Sequence, residues 1–114
     1  MADAILFIAW DRPHVGRDDE AMKYVTGEGL AYLKKLEGNY FERLEMFGLT
    51  AHGGDLNFGI LLHGTRAKLD ELRRTDEFEA FSFKLGSLFD RLRVVPGLSW
   101  EGIQKVMARM NAAR

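Results

Sequence analysis

The sequence predicts an α+β domain, and three observations carry that prediction. Two short runs are apolar on nearly every position, Ala4–Trp10 (AILFIAW) and residues 56–62 (LNFGILL). Two others alternate but carry charges, residues 40–50 (YFERLEMFGLT) and 91–95 (RLRVV). Between and after them lie stretches with helical spacing, so the order reads β-α-β-β-α-β-α. With 114 residues, the chain is the size of one domain, residues 1–114.

Ala4–Trp10 is short and rich in β-branched and aromatic residues, which favours a strand over a helix. Leu6, Ile8 and Trp10 share one face, and Ile5, Phe7 and Ala9 the other, so both faces should be covered. After a connector at residues 13–16, Asp18 or Asp19 is expected to cap a helix, and the acids suit its N-terminal dipole. Met22, Val25, Leu33 and Leu36 fall near helical spacing, with Tyr32 beside them. Gly27 and Gly29 interrupt this helix, each at a cost of up to about 1 kcal/mol relative to Ala. They allow either close packing on the sheet or a bend. Glu37-Gly38-Asn39 is a stop signal.

Residues 40–50 carry charges on both faces, which suits an edge strand and discourages edge-to-edge aggregation. A turn-rich clasp, His52-Gly53-Gly54-Asp55, then leads into the apolar run, which closes at His63-Gly64. Thr65 reads as an N-cap for Leu69 and Leu72, and Thr75 as a second one, so a break is expected near Arg74-Thr75. Phe78, Phe81, Leu85 and Leu88 repeat at helical spacing. Residues 91–95 form the other edge strand, ended by Pro96-Gly97. Ser99 caps a last helix, residues 100–111, with the stripe Trp100, Ile103, Val106, Met107 and Met110.

The first six elements make the split βαβ, or ferredoxin-like, unit. Right-handed crossovers give an antiparallel sheet of order 4-1-3-2 with helices on one face. Strands 1 and 3 are then central, and they are the apolar pair. The second sheet face is also apolar, and left bare it would make a large exposed patch. The terminal helix is expected to cover part of it and a second copy the rest, which predicts a homodimer with apposed sheets.

Composition excludes several classes. The net charge is −1 with no basic block, against nucleic-acid binding. Zero cysteines exclude disulfides, thiolate metal sites and a Cys nucleophile. Met1-Ala2-Asp3 has no basic n-region and Ala4–Trp10 is too short to span a bilayer, so a cytoplasmic protein without membrane contact is expected. Neither GxGxxG nor GxSxG is present.

His52 and Asp55 are the candidate catalytic pair, able in principle to move a proton or bind a ligand carboxylate. A plain hairpin turn explains Gly53, Gly54 and Asp55 without chemistry, but it does not require His52. Trp10, His14, Asn57 and His63 are candidate ligand-binding residues. In the 4-1-3-2 sheet, His14 and His63 fall near opposite ends of strands 1 and 3. Trp10, Asp11, His14, His52 and Asp55 gather at the clasp end. No HxH or HExxH spacing is present, and neither a metal nor another cofactor is expected. Core packing, with Trp and Tyr near the surface for their polar ends, is the favoured explanation of the aromatic residues.

With HGGDLNFGILLHG, LDELRRTDEFEAF and RVVPGLSWEGIQKVM in this order, the chain resembles the dimeric α/β-barrel superfamily. That superfamily includes antibiotic-biosynthesis monooxygenases, haem-degrading monooxygenases and stress-responsive barrel proteins. The same stretches resemble a small bacterial family of this fold. The resemblance covers nearly the whole chain and lies in layout rather than in a catalytic motif. It implies a homodimer and, often, a small apolar pocket between sheet and helices. Trp10, Tyr24, Tyr32 and Asn57 are groups of the sort that cofactor-free monooxygenase relatives use to orient a polycyclic substrate. No predicted helix carries a His, so the helical haem ligand of some relatives has no counterpart. Two functions remain open. One is binding of a small apolar organic molecule, with cofactor-independent oxygenation or isomerisation. The other is a non-enzymatic stress or regulatory dimer with a filled interior. Fold alone does not choose between them.

Overall fold

A computed structural model describes residues 2–50 and 52–114. Met1 and Ala51, the latter just before the clasp, lie outside the described residues. The elements are β1 (Ala4–Trp10), α1 (Asp18–Thr26), α2 (Glu28–Leu36), β2 (Arg43–Gly48), β3 (Phe58–Gly64), α3 (Arg66–Arg73), α4 (Asp76–Leu88), β4 (Arg93–Leu98) and α5 (Trp100–Ala112). The sheet is antiparallel with order β2-β3-β1-β4, as the charge pattern of the strands predicts.

Register settles which side each β1 residue takes. Leu6, Ile8 and Trp10 are buried in one core with Ile60 and Leu62 of β3 and with Ala21, Leu33, Leu72, Phe81 and Leu85 of the helices. Ile5, Phe7 and Ala9 therefore point to the other face, away from that helix layer. There Phe7 stacks with Phe47 at 6.1 Å between ring centroids. The Phe47 ring lies so close to Gly59 that a Cβ at that position would overlap it.

Several boundaries differ from expectation. The first helix breaks in two at Gly27 rather than bending, and a Cβ there would come within 2.8 Å of the Lys23 carbonyl oxygen. Its N-cap is Arg17 without a side-chain cap bond, so Asp18 and Asp19 lie in the first turn and act through the dipole. The second strand begins at Arg43 because Phe41 turns into the core. The third begins at Phe58 because Leu56 adopts φ +65°. The fourth begins at Arg93, after Arg91 with φ +50°, and continues through Pro96 and Gly97. An edge strand has one unpaired side, so it tolerates a proline. The caps at Thr65, Thr75 and Ser99 form as expected, each hydroxyl accepting from a backbone N–H in the first turn.

The terminal helix behaves unlike the others. Gly102 packs so tightly on the Asp3 carbonyl that a Cβ would overlap it, and Ser99 Oγ donates to the Ala2 carbonyl at 2.9 Å. Lys105 Nζ reaches Asp3 Oδ2 at 3.1 Å. Beyond these anchors, among the described residues, Trp100, Ile103, Met107 and Met110 of its stripe are exposed and Val106 is half-buried. Among the described residues no helix is long and apolar enough to cross a membrane.

Candidate functional site

Two cavities meet at the clasp end of the sheet, divided by Phe89. The first, about 250 Å³, lies between α1 and the strands. Met22 and Val25 of α1 form one wall; Trp10, Met46 and Phe58 of the sheet form the other. The Thr26 hydroxyl at its edge donates to the Met22 carbonyl, a bond internal to the helix. Among the described residues no titratable side chain lines this cavity. Trp10 packs on Phe89 with ring centroids 4.9 Å apart, and its buried indole N–H has no hydrogen-bond partner among the described residues. The space exists because residues at the clasp end are small or flexible. Gly48 stands opposite Phe58, and two of the lining side chains are the adaptable methionines.

The second cavity, about 560 Å³, is polar and includes Asp11, His14, Asp55, Asn57, Asp90 and Arg91. Asp11 is its hub. This carboxylate directly follows β1 and is buried. Its Oδ1 accepts from the Leu56 backbone N–H at 2.6 Å and from Arg93 Nη1 at 3.0 Å. Its Oδ2 lies 3.3 Å from Arg91 Nε. Desolvation pushes the Asp11 pKa up, but the Leu56 N–H and the two guanidinium groups outweigh it and hold the pKa below 3.8. The same N–H contact holds Leu56 in its left-handed conformation and so sets where β3 begins.

The structure does not pair His52 with Asp55. Asp55 Oδ2 takes Arg91 Nη1 at 2.7 Å, so Arg91 bridges the clasp to Asp11. His52 Nδ1 accepts from the Gly54 N–H at 3.2 Å, which leaves Nε2 as the protonated nitrogen, donating to the Leu56 carbonyl at 3.3 Å. His52 thus braces the turn from within. His14 lies in the polar cavity with Nδ1 2.6 Å from Asp90 Oδ1 and Nε2 3.1 Å from the Gly86 carbonyl. Asn57 lines the same cavity, and its backbone links Trp10 and Leu49. Trp10 lines the apolar cavity instead. His63 is at the far end of the sheet, 3.4 Å from Glu45 Oε1. Among the described residues no group of three or more His, Cys, Asp or Glu could hold a metal ion.

The reading of residues 91–95 as a charged edge missed Arg91 and Arg93. A signal was present. An aspartate that directly ends a buried apolar strand needs a cation, and the Arg-Leu-Arg alternation supplies two within reach. Phe89, Met22 and Met46 carried no such signal, because cavity lining and core packing use the same residue types.

No family model matches the chain, and no curated protein sequence does. Solved structures do. An ethyl tert-butyl ether d (EthD) family protein from Bacillus halodurans superimposes with a TM-score of 0.64 at 16% identity, over 83% of this chain and 96% of that one. A dimeric protein of unknown function and ferredoxin-like fold from Bacteroides fragilis gives 0.60 at 11% identity, over 84% and 96%. These likenesses, with the strand order, show a ferredoxin-like α+β fold.

Proposed function

We propose that the protein is a homodimer that binds a small, mostly apolar organic molecule in the cavity between α1 and the sheet. The observation that carries this reading is the 250 Å³ cavity, walled by Trp10, Met22, Val25, Met46 and Phe58, with no titratable lining among the described residues. Such a space suits a ligand of one or two rings, smaller than drug-sized molecules. The family name of the Bacillus halodurans neighbour is that of a small ether, in keeping with a ligand of this kind. The polar cluster around Asp11 is internally paired and serves to hold the clasp that closes this end. Oxygenation or isomerisation in the apolar cavity would run on the substrate's own reactivity, without a side-chain acid or base. Binding is therefore the reading we carry. The dimer rests on the sheet face that bears Ile5, Phe7, Leu61 and Val95, and the Bacteroides fragilis neighbour is itself described as dimeric.

Methyl NMR tests the cavity. The sequence has five methionines, and Met22 and Met46 line the cavity while Met107 and Met110 do not. Titrating ¹³C-methyl-methionine protein with naphthalene should move the Met22 and Met46 signals and leave those of Met107 and Met110 in place. Unmoved Met22 and Met46 signals at saturating probe would reject the cavity as a binding site. That outcome favours the non-enzymatic dimer with a filled interior.

A further inference from the structure

Among the described residues, four members of the α5 stripe are left exposed. Trp100, Ile103, Met107 and Met110 recur at spacings of three, four and three, so they share one helix face. They are 63, 39, 52 and 57% exposed, and the only buried residue of α5 is Gly102. An isolated 13-residue helix is marginal in water and depends on packing of its apolar face. The molecule is also long for its size. Its extents are 55 × 33 × 18 Å and its radius of gyration 15.6 Å, where about 13 Å is usual for this length.

Area argues for what covers the stripe. At a strand spacing of about 4.8 Å and a rise of about 3.3 Å per residue, the four strands present an open face of roughly 400 Å². A stable dimer buries about 800 Å² on each partner. Counted as a flat footprint, the sheet face is about half of that figure. Thirteen residues at about 1.5 Å each and a width of about 10 Å add roughly 200 Å² along α5, before surface relief is counted. In a twofold pair, a patch used by one copy is used by the other, so a projecting arm is counted twice.

We infer that α5 is a dimerisation arm that packs its Trp100–Ile103–Met107–Met110 stripe on a second copy of the chain. This rests on the dimer reading above and adds to it the element that completes the interface. The stripe is exposed within one chain, so charging it leaves the single-chain fold intact. It is placed to weaken association only.

The test is sedimentation equilibrium on the wild type and on the Ile103→Glu/Met107→Glu variant, with circular dichroism to check the fold. The expected result is a wild-type dimer at low micromolar concentration and a folded variant weakened by about 100-fold or more, as for loss of apolar anchors at an interface centre. A monomeric wild type would overturn both the inference and the dimer reading. A variant that dimerises as tightly as the wild type would overturn the inference alone and leave a dimer made by the sheets. If the variant does not fold, dilution of ¹³C-methyl-methionine wild type decides. Met107 and Met110 signals that shift as the dimer dissociates support the arm, and signals that stay fixed reject it. Flotation with phosphatidylglycerol vesicles covers the other apolar target. Wild type that floats, with a variant that stays dimeric and no longer floats, would assign the stripe to a lipid surface and reject the inference.

Discussion

The two ends of the sheet are held together in different ways. At the clasp end, one buried carboxylate gathers a backbone N–H and two guanidinium groups, so β1, the clasp and the start of β4 share one hub. At the α5 end the joint is chiefly a close backbone contact between residues 2–3 and the start of α5. Gly102 meets Asp3, Ser99 reaches Ala2, and an exposed ion pair joins Lys105 to Asp3. The difference teaches where each end is vulnerable. A polar hub fails when its charge is removed, whereas a close backbone contact fails when volume is added.

The most damaging single change should be Asp11→Asn. It leaves Arg91 and Arg93 facing a neutral amide in a desolvated position, and Leu56 loses a strong acceptor. The urea midpoint should fall further than for Gly102→Ala or His52→Ala. Hydrogen exchange should quicken first in residues 52–57. A midpoint within error of the wild type would show that the hub is ornamental. Acid should mimic this change. Asp11 is held below 3.8 in the folded protein, so its contribution is complete above that pH and is lost as pH falls through the lower, folded value. Asp11→Asn should flatten this limb of the stability–pH curve, and an unchanged limb would assign it to other carboxylates.

At the other end, Gly102→Ala should cost about 1–3 kcal/mol by forcing α5 off the Asp3 carbonyl. Urea melts give the loss, and amide exchange should place it in α5 and spare the clasp. Exchange that quickens equally at both ends would mean that the two are not independent. The smallest effect is expected for His52→Ala. Its bonds are exposed and close within the turn, so the change should stay within about 0.5 kcal/mol. Naphthalene shifts at Met22 and Met46 should persist in that variant. Their loss would return His52 to the binding site.

The same contrast explains what the sequence made legible. Strand order could be read because burial on two faces leaves a mark on every position of a strand, and β1 and β3 bear it. Caps at Thr65, Thr75 and Ser99 could be read because capping is decided within one turn of helix. The start of β3 could not, since Leu56 is set by a carboxylate 45 residues away. The shift of β4 past Pro96 depends on which edge is unpaired, which is known only once the sheet is assembled. The gathering of Asp11, His14 and Asp55 at one end followed from topology. Their actual partners, Arg91, Arg93 and Asp90, depend on side-chain reach. Spacing in sequence does not encode that reach, so the expected His52–Asp55 pair resolved into two separate contacts.

The Asp11 hub also bears on the order of events in folding. Its bonds join positions 45 and 82 residues apart, so they close only after two long loops have been drawn together. Local helices and the β2–β3 pairing have no need to wait for it. When a contact that forms after the rate-limiting step is lost, escape from the native state speeds up more than arrival slows, and we place the hub among such contacts. In a chevron experiment, Asp11→Asn should therefore raise the unfolding limb while the refolding limb stays in place. The buried carboxylate would then be a latch, and its office is to lengthen the lifetime of the closed clasp.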